Sequence, residues 1–200
     1  MKYFITAIDT NVGKTVISAI IVKALNAAYW KPIQCGDLDF SDTMKVENLV
    51  KNVVTFQETH ALEYPLSPHE SARLSGVDVS LKDFKLPSEE NLIIEGAGGL
   101  MVPLNDTQLS LDLLKDWKFP VVLVANYYLG SINHTLLSID VLRRYAIPIH
   151  SIVFNGTCVP ASKEAILSYA KVKRYFEIPA LDEINKETIK KYAQQIADHI

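Results

Sequence analysis

The tripeptide Gly13-Lys14-Thr15 has the residue types of a phosphate-binding loop. It follows a short apolar run at residues 3–8 and precedes a helical pattern, the context that such a loop requires. Backbone N–H groups would surround phosphate oxygens, the lysine would bring a positive charge, and the threonine hydroxyl would face Mg²⁺. A chance tripeptide at a helix start is the alternative, which the flanking elements disfavour. We therefore expect nucleotide contacts from Asn11, Val12, Gly13, Lys14, Thr15 and Val16.

A carboxylate, Glu95, ends a second apolar run and is followed at once by Gly96-Ala97-Gly98-Gly99. In open α/β sheets, ligands bind beyond the carboxyl ends of the strands. Glu95 would then help to hold Mg²⁺, and a glycine-rich loop is thin enough for a ligand to pass. A polar strand end followed by a flexible turn is the alternative. The residues expected near nucleotide or metal here are Glu95, Gly96, Ala97 and Gly98.

Three further positions carry weaker signals. Lys31 precedes Pro32 in a short apolar context, where a held lysine could neutralise phosphate or a developing anion, although a solvated surface lysine is the alternative. Asp42 is predicted at a helix N-cap, and capping alone would explain it. Gly130 and Ser131 are predicted at a helix start, whose free N–H groups could bind a carboxylate, although ordinary capping explains these residues about as well.

The elements that position these residues form an alternating pattern. Short apolar runs without polar alternation predict strands that are covered on both faces, and amphipathic stretches between them predict helices. This alternation predicts an α/β fold, with a parallel sheet flanked by helices on both faces, in a single domain over residues 1–200. The strands are predicted at 3–8, 92–96, 121–125 and 151–155, and the helices at 14–28, 43–51, 68–74, 132–145, 161–176 and 186–200.

Composition narrows the classes of function. The formal net charge of −3 argues against a dedicated nucleic-acid binder. No apolar run approaches the roughly 18 residues that span a bilayer, and the N-terminus lacks the features of a secretory signal. We therefore expect a cytoplasmic protein without a nucleic-acid or membrane partner. The two cysteines and five histidines show no metal-ligand spacing.

Taken in order, a set of short motifs resembles the dethiobiotin synthetase family. In that family the phosphate loop begins one residue earlier than usual, at the position of Ala7, so the isoleucine at position 8 does not count against the loop. The matching motifs are DTNVGKT (9–15), KPIQCG (31–36), SPH (67–69), EGAGG (95–99), LGSINH (129–134), VFN (153–155) and EIPAL (177–181).

The resemblance implies a P-loop NTPase-like fold and a reaction that depends on ATP and Mg²⁺. The implied substrates are 7,8-diaminononanoate and CO₂, and the product is the cyclic urea dethiobiotin, with ADP and phosphate. One amine would capture CO₂ as a carbamate, and ATP would phosphorylate the carbamate to a carbamic–phosphoric mixed anhydride. The second amine would then expel phosphate.

The resemblance also implies roles for individual residues. Lys31, Lys14 and Thr10 would be catalytic, and Thr15, Asp42 and Glu95 would hold Mg²⁺. Asn155 would contact the purine. A homodimer is implied, with the substrate site at its interface, where residues 130–133 would reach the carboxylate of a substrate bound to the neighbouring subunit. The implied substrate contacts are Lys31, Cys35, Ser67, Pro68, Gly130, Ser131 and Asn133.

The sequence departs from the family pattern at three places. Cys35 stands where serine or threonine is common, and Asn11 stands where an acidic residue is common. The family's longer C-terminal tail, which helps to enclose the base, is not recognisable after residue 181. The unrecognisable tail leaves the choice of base open.

Two other classes of ATP-dependent protein have a similar phosphate-binding loop. Partitioning ATPases carry a second lysine early in the loop, where this chain has Asp9. Cobyrinate-type amidotransferases continue into a glutaminase domain, for which these 200 residues contain no candidate segment. A bare nucleotide-binding module would leave Lys31 and Glu95 unexplained.

Overall fold

A parallel sheet forms the centre of the structure, a computed structural model that describes residues 1–200. Nine strands are present: β1 (Lys2–Ala7), β2 (Ala28–Trp30), β3 (Ile33–Cys35), β4 (Thr55–Phe56), β5 (His60–Leu62), β6 (Leu92–Gly99), β7 (Val121–Asn126), β8 (Ile149–Asn155) and β9 (Tyr175–Ile178). Seven of them form one sheet in the order β4-β2-β6-β1-β7-β8-β9, and β3 pairs with β5 in a separate two-stranded sheet. All of these pairs are parallel.

Helices cover both faces of the sheet, as predicted. They are α1 (Lys14–Leu25), α2 (Asp42–Leu49), α3 (Pro68–Ser75), α4 (Ser110–Trp117), α5 (Ser131–Arg144), α6 (Pro160–Ala170) and α7 (Lys186–Ile196). Helices α1, α2 and α7 contribute to one apolar cluster, and α3, α4, α5 and α6 contribute to the other. The parallel α/β architecture predicted from the sequence is therefore confirmed.

Alternate residues of each central strand enter opposite clusters. In β6, Ile93 packs on the α1 side, whereas Leu92 and Ile94 pack on the α4 side. Residues 121–125 of β7 are fully buried on both faces, which explains why the run is uniformly apolar rather than alternating. Each such side chain contributes about 1.5–3 kcal/mol of transfer free energy. The sheet thus provides a rigid base for the loops at its carboxyl edge.

The glycine segment after Glu95 differs from the prediction. Strand β6 does not end at Glu95 but continues to Gly99, with an irregular register against β1 between Ile5 and Ala7. At Gly96, a Cβ atom would lie 2.8 Å from the ring of Phe4, so the close packing of neighbouring strands requires glycine. The prediction of a glycine-rich loop at 96–99 was wrong, because strand pairing with β1 orders this segment.

Two other boundaries were also wrong. The helix predicted over 161–176 ends at Ala170, where Lys171 adopts a left-handed conformation, and residues 175–178 form the edge strand β9. Exposed and buried residues alternate along β9, which is the strand period rather than the helical one. Asp42 is the first residue of α2 and not its cap, because the side chain of Ser41 accepts a hydrogen bond from the N–H of Met44.

His150 in β8 gives the fold a defined acid sensitivity. Its ring lies 4.4 Å from that of Tyr3, centroid to centroid, beside the guanidinium of Arg174. Burial and the Arg174 charge lower the pKa of His150 to about 4. In the unfolded chain His150 is protonated below about pH 6.5, whereas in the folded chain it is protonated only below about pH 4.

We predict that the free energy of unfolding falls as pH falls from 7 to 5, and that His150→Gln removes part of this fall. Urea unfolding of both proteins at the two pH values measures the difference, with His199→Gln, at the chain end, as the control. Equal pH dependence for wild type and His150→Gln would contradict the assignment.

Candidate active site

The phosphate-binding loop joins the end of β1 to the start of α1. Gly13 precedes the helix with a φ of 90°, and no side chain caps the helix start, so the N–H groups of its first turn remain available to an anion. Asn11 adopts a left-handed conformation with a φ of 60°, which asparagine tolerates better than most residues. Lys14 Nζ donates a hydrogen bond to the carbonyl of Asp9 at 3.0 Å, which folds the lysine back along the loop.

A buried cluster of charged groups lies next to this loop. Lys31 Nζ lies 2.7 Å from Asp42 Oδ2 and 2.9 Å from Glu95 Oε1, and both contacts are ion pairs. Thr15 donates its hydroxyl to the same Oε1 at 3.0 Å. Lys31 is 4% exposed and Glu95 is 0% exposed, so water screens this pair very little.

Neighbouring charges decide the protonation states in this cluster. Burial alone would lower the pKa of Lys31, but Glu95 and Asp42 outweigh it and hold that pKa above its ordinary value. Burial would raise the pKa of Asp42, but Lys31 outweighs it, and the pKa lies at about 2. Lys31 is therefore a permanent cation near neutral pH.

Lys14 differs from Lys31. Burial, together with the charge of Lys31, lowers its pKa to about 8, and the carboxylates of Glu95 and Asp42 offset only part of this effect. Its ammonium lacks a carboxylate partner within ion-pair distance. A polyanion bound at the loop would supply that missing negative charge.

Residues that sequence reasoning missed complete the cluster. Tyr29 donates its hydroxyl to Glu95 Oε2 at 2.9 Å. Lys45 Nζ lies 3.1 Å from Asp42 Oδ1, and the side-chain oxygen of Gln34 accepts a hydrogen bond from the N–H of Asp42. The signals were weak: Gln34 lies within the KPIQCG motif, and Tyr29, two residues before Lys31 in a short apolar run, is indistinguishable there from a core aromatic residue.

The loop and the cluster face one cavity of about 680 Å³, which is large enough for a nucleotide with a small substrate. Its walls bring together fourteen of the predicted site residues: Thr10, Asn11, Gly13, Lys14, Thr15, Val16, Lys31, Cys35, Asp42, Ser67, Pro68, Glu95, Ala97 and Gly98. Burial raises the pKa of Cys35 to about 11 against the smaller opposing effect of Lys31, so its side chain is a neutral thiol.

A family model described as an AAA domain matches residues 1–188. The ATP-dependent dethiobiotin synthetase BioD of Christiangramia forsetii is 48% identical, over 97% of this chain and 95% of that protein. The protein of the same name from Cytophaga hutchinsonii is 43% identical, over 99% of this chain and 98% of that protein. The one from Brucella ovis is 40% identical, over 94% of this chain and 90% of that protein.

The chain belongs to the dethiobiotin synthetase family. The resemblance found from its motifs is thereby confirmed. A ParA family ATPase from Chlorobium tepidum TLS has a similar fold, with a TM-score of 0.58 over 100% of this chain and 99% of that one. Its sequence identity is 12%, so this similarity concerns the fold alone and supports the P-loop NTPase-like architecture.

Six predicted residues lie outside the cavity walls of this dethiobiotin synthetase family member. Val12 is buried beneath the loop, and Gly96 is packed against Phe4. Asn155 donates its side-chain N–H to the carbonyl of Val12 at 2.8 Å, so it lies against the loop. The other three residues lie at the start of α5 and do not line the cavity of their own chain. They are Gly130, Ser131 and Asn133.

None of the helices combines the length and the apolar character that a membrane span requires.

Gly13 provides a direct test of the loop geometry. A Cβ atom there would lie 2.2 Å from Asn155 Nδ2, and the φ of 90° disfavours any other residue. We predict that Gly13→Ala weakens ATP binding at least tenfold, because the loop and Asn155 must both shift. The matched control is Gly76→Ala, which has a similarly positive φ of 64° but open space around the added atom.

Isothermal titration with a non-hydrolysable ATP analogue measures both variants. ATP-analogue binding by Gly13→Ala within threefold of wild type would contradict the placement of the nucleotide phosphates at this loop.

Proposed function

We propose that this protein uses ATP to close a cyclic urea on 7,8-diaminononanoate and CO₂, forming dethiobiotin, ADP and phosphate. The observation that carries the proposal is the buried Lys31 ammonium, which lies beside the phosphate loop in the same cavity. Membership of the dethiobiotin synthetase family supports the choice of substrates. Partitioning ATPases share the fold, but Asp9 stands where their second loop lysine would be.

The donor set fits Mg²⁺. Hard oxygen ligands suit this ion, and Thr15, Asp42 and Glu95 place a hydroxyl and two carboxylates on the wall of one cavity. We propose that these three residues hold Mg²⁺, partly through water. When bound, the ion neutralises charge on the phosphate oxygens of ATP. The Lys31 ammonium, which now pairs with both carboxylates, would turn toward the substrate and phosphoryl oxygens.

The carbamate forms when the nitrogen of one amine bonds to the carbon of CO₂ and loses a proton. A carbamate is a poor electrophile because its leaving group would be oxide. Transfer of the γ-phosphoryl group of ATP to a carbamate oxygen gives the mixed anhydride and ADP. The second amine then attacks the carbonyl carbon, the bond to phosphate breaks, and the attacking nitrogen loses its proton as the urea ring closes.

The chain's own residues position these reactants and stabilise their negative charge. Lys14 and the N–H groups of the loop would hold the ATP phosphates. The permanently charged Lys31 would stabilise the carbamate and the transferred phosphoryl group, since a cation with so high a pKa does not act as a general base. Thr10, on the cavity wall, would donate a hydrogen bond to a phosphate or carbamate oxygen. Asn155 keeps its side-chain oxygen available to an amino group of the purine.

The diamine would lie along Cys35, Ser67 and Pro68. We propose a homodimer in the cytoplasm, in which a second copy of the chain contributes the start of its α5 to this site. Gly130 and Asn133 are exposed, and no side chain caps the helix start. The N–H of Ser131 donates to the carbonyl of Tyr128, so the N–H groups of Ile132 and Asn133 would meet the substrate carboxylate. These residues do not line the cavity within one chain, which supports a role across an interface.

The reaction has a direct assay. Purified protein with MgATP, bicarbonate and 7,8-diaminononanoate should form dethiobiotin and release phosphate in equal amounts, as mass spectrometry and a phosphate assay measure. Omission of the diamine is the control and should reduce phosphate release to background. A rate of ATP hydrolysis that is the same with and without the diamine would contradict the proposal.

A further inference from the structure

Glu95 is a buried carboxylate whose two oxygens have different partners. Oε1 accepts hydrogen bonds from Thr15 and Lys31, at 3.0 and 2.9 Å, and belongs to the cavity side of the cluster. Oε2 accepts a hydrogen bond from the hydroxyl of Tyr29 at 2.9 Å, and this is its only side-chain donor. Both Glu95 and Tyr29 are 0% exposed, so water cannot replace a lost donor at Oε2.

Strand pairing brings Tyr29 to this position. Tyr29 in β2 is paired with Ile93 in β6, and Glu95 lies two residues further along the same strand. Residues two apart on a strand share a face, so the phenol and the carboxylate lie on the α1 side of the sheet, where Thr15 begins its helix. The backbone register of two central strands therefore fixes the contact.

The chemistry of the donor matters as much as its position. A carboxylate side chain turns easily about its last bond, because that torsion has broad minima. Tyr29 restricts this rotation with a neutral donor, which satisfies Oε2 without adding a second positive charge to the cluster. A phenylalanine would leave Oε2 buried without a donor, and the carboxylate would turn to share Oε1 and Oε2 between Thr15 and Lys31.

We propose that Tyr29 is a positioning residue that holds Glu95 with Oε1 directed at Thr15 and Lys31, and so sets the binding of Mg²⁺-nucleotide. This inference rests on the proposed function only in taking Glu95 as a residue that holds Mg²⁺. Tyr29 touches neither the cavity nor a reacting atom, and it acts through Glu95.

The test is the effect of Mg²⁺ on nucleotide affinity, which needs no turnover. Isothermal titration of the full chain with a non-hydrolysable ATP analogue is done with Mg²⁺ and with EDTA. Tyr29→Phe should reduce the Mg²⁺-dependent gain in affinity about tenfold, the size expected when a metal ligand loses its supporting hydrogen bond. Affinity in EDTA should stay within about twofold of wild type.

Tyr3→Phe is the matched control. Tyr3 is buried in the same apolar cluster, and its hydroxyl makes none of the hydrogen bonds of the site. This variant should leave both affinities within about twofold of wild type. If Tyr29→Phe is insoluble, Tyr29→Met, which also lacks a donor, takes its place.

A double-mutant cycle separates a positioning role from a purely structural one. In the Glu95→Gln background, Tyr29→Phe should change the Mg²⁺-dependent gain in affinity less than about twofold, because the carboxylate that Tyr29 positions is already absent. Additive effects, or an unchanged Mg²⁺ effect in Tyr29→Phe alone, would overturn the inference. A wild type that binds Mg²⁺-nucleotide but forms no dethiobiotin would overturn the proposed reaction and leave the role of Tyr29 standing.

Discussion

The pairing of buried Lys31 with Glu95 and Asp42 is the interaction on which the rest of the site depends. An ionised carboxylate at 0% exposure is stable only when opposite charge and hydrogen-bond donors surround it. Lys31 supplies the charge, and Thr15 and Tyr29 supply the donors. Because these residues come from separate elements, their contacts fix the positions of β2, β6 and α1 relative to one another.

A buried cluster of ion pairs is weak evidence for stability, since the desolvation of buried charges offsets most of their attraction. The two apolar clusters on the faces of the sheet stabilise the fold instead. The charges are therefore best explained by chemistry: a carbamate and a transferred phosphoryl group are both anions, and a cation at the cavity wall needs only to turn from its carboxylates to stabilise them. The lowered pKa of Lys14 fits the same reasoning, because a bound polyanion would supply the negative charge that the buried ammonium lacks.

Much of this architecture could be predicted from the sequence, because uniformly apolar runs and phosphate-loop chemistry are local signals. The strands β1, β6, β7 and β8 and the loop at Gly13 rest on such signals, whereas the catalytic role expected for Lys31 came from the resemblance to the family. The strand at 175–178 and the continuation of β6 to Gly99 could not be predicted, since both depend on pairing with distant strands. Tyr29 was missed for a related reason: its partner is 66 residues away, and only the strand register shows that they meet.

The central claim is that Lys31 is a catalytic cation, and its substitution by alanine tests this most directly. Turnover of diamine and CO₂ should fall about 100-fold or more in Lys31→Ala, the range seen when a charge-stabilising group is removed. Removing Lys31 leaves Glu95 buried without its cation, which should cost about 3–5 kcal/mol of unfolding free energy, so circular dichroism must first show that the variant is folded at the assay temperature. Lys51→Ala, at an exposed position, should match wild type. A folded Lys31→Ala protein with turnover within about threefold of wild type would contradict the account.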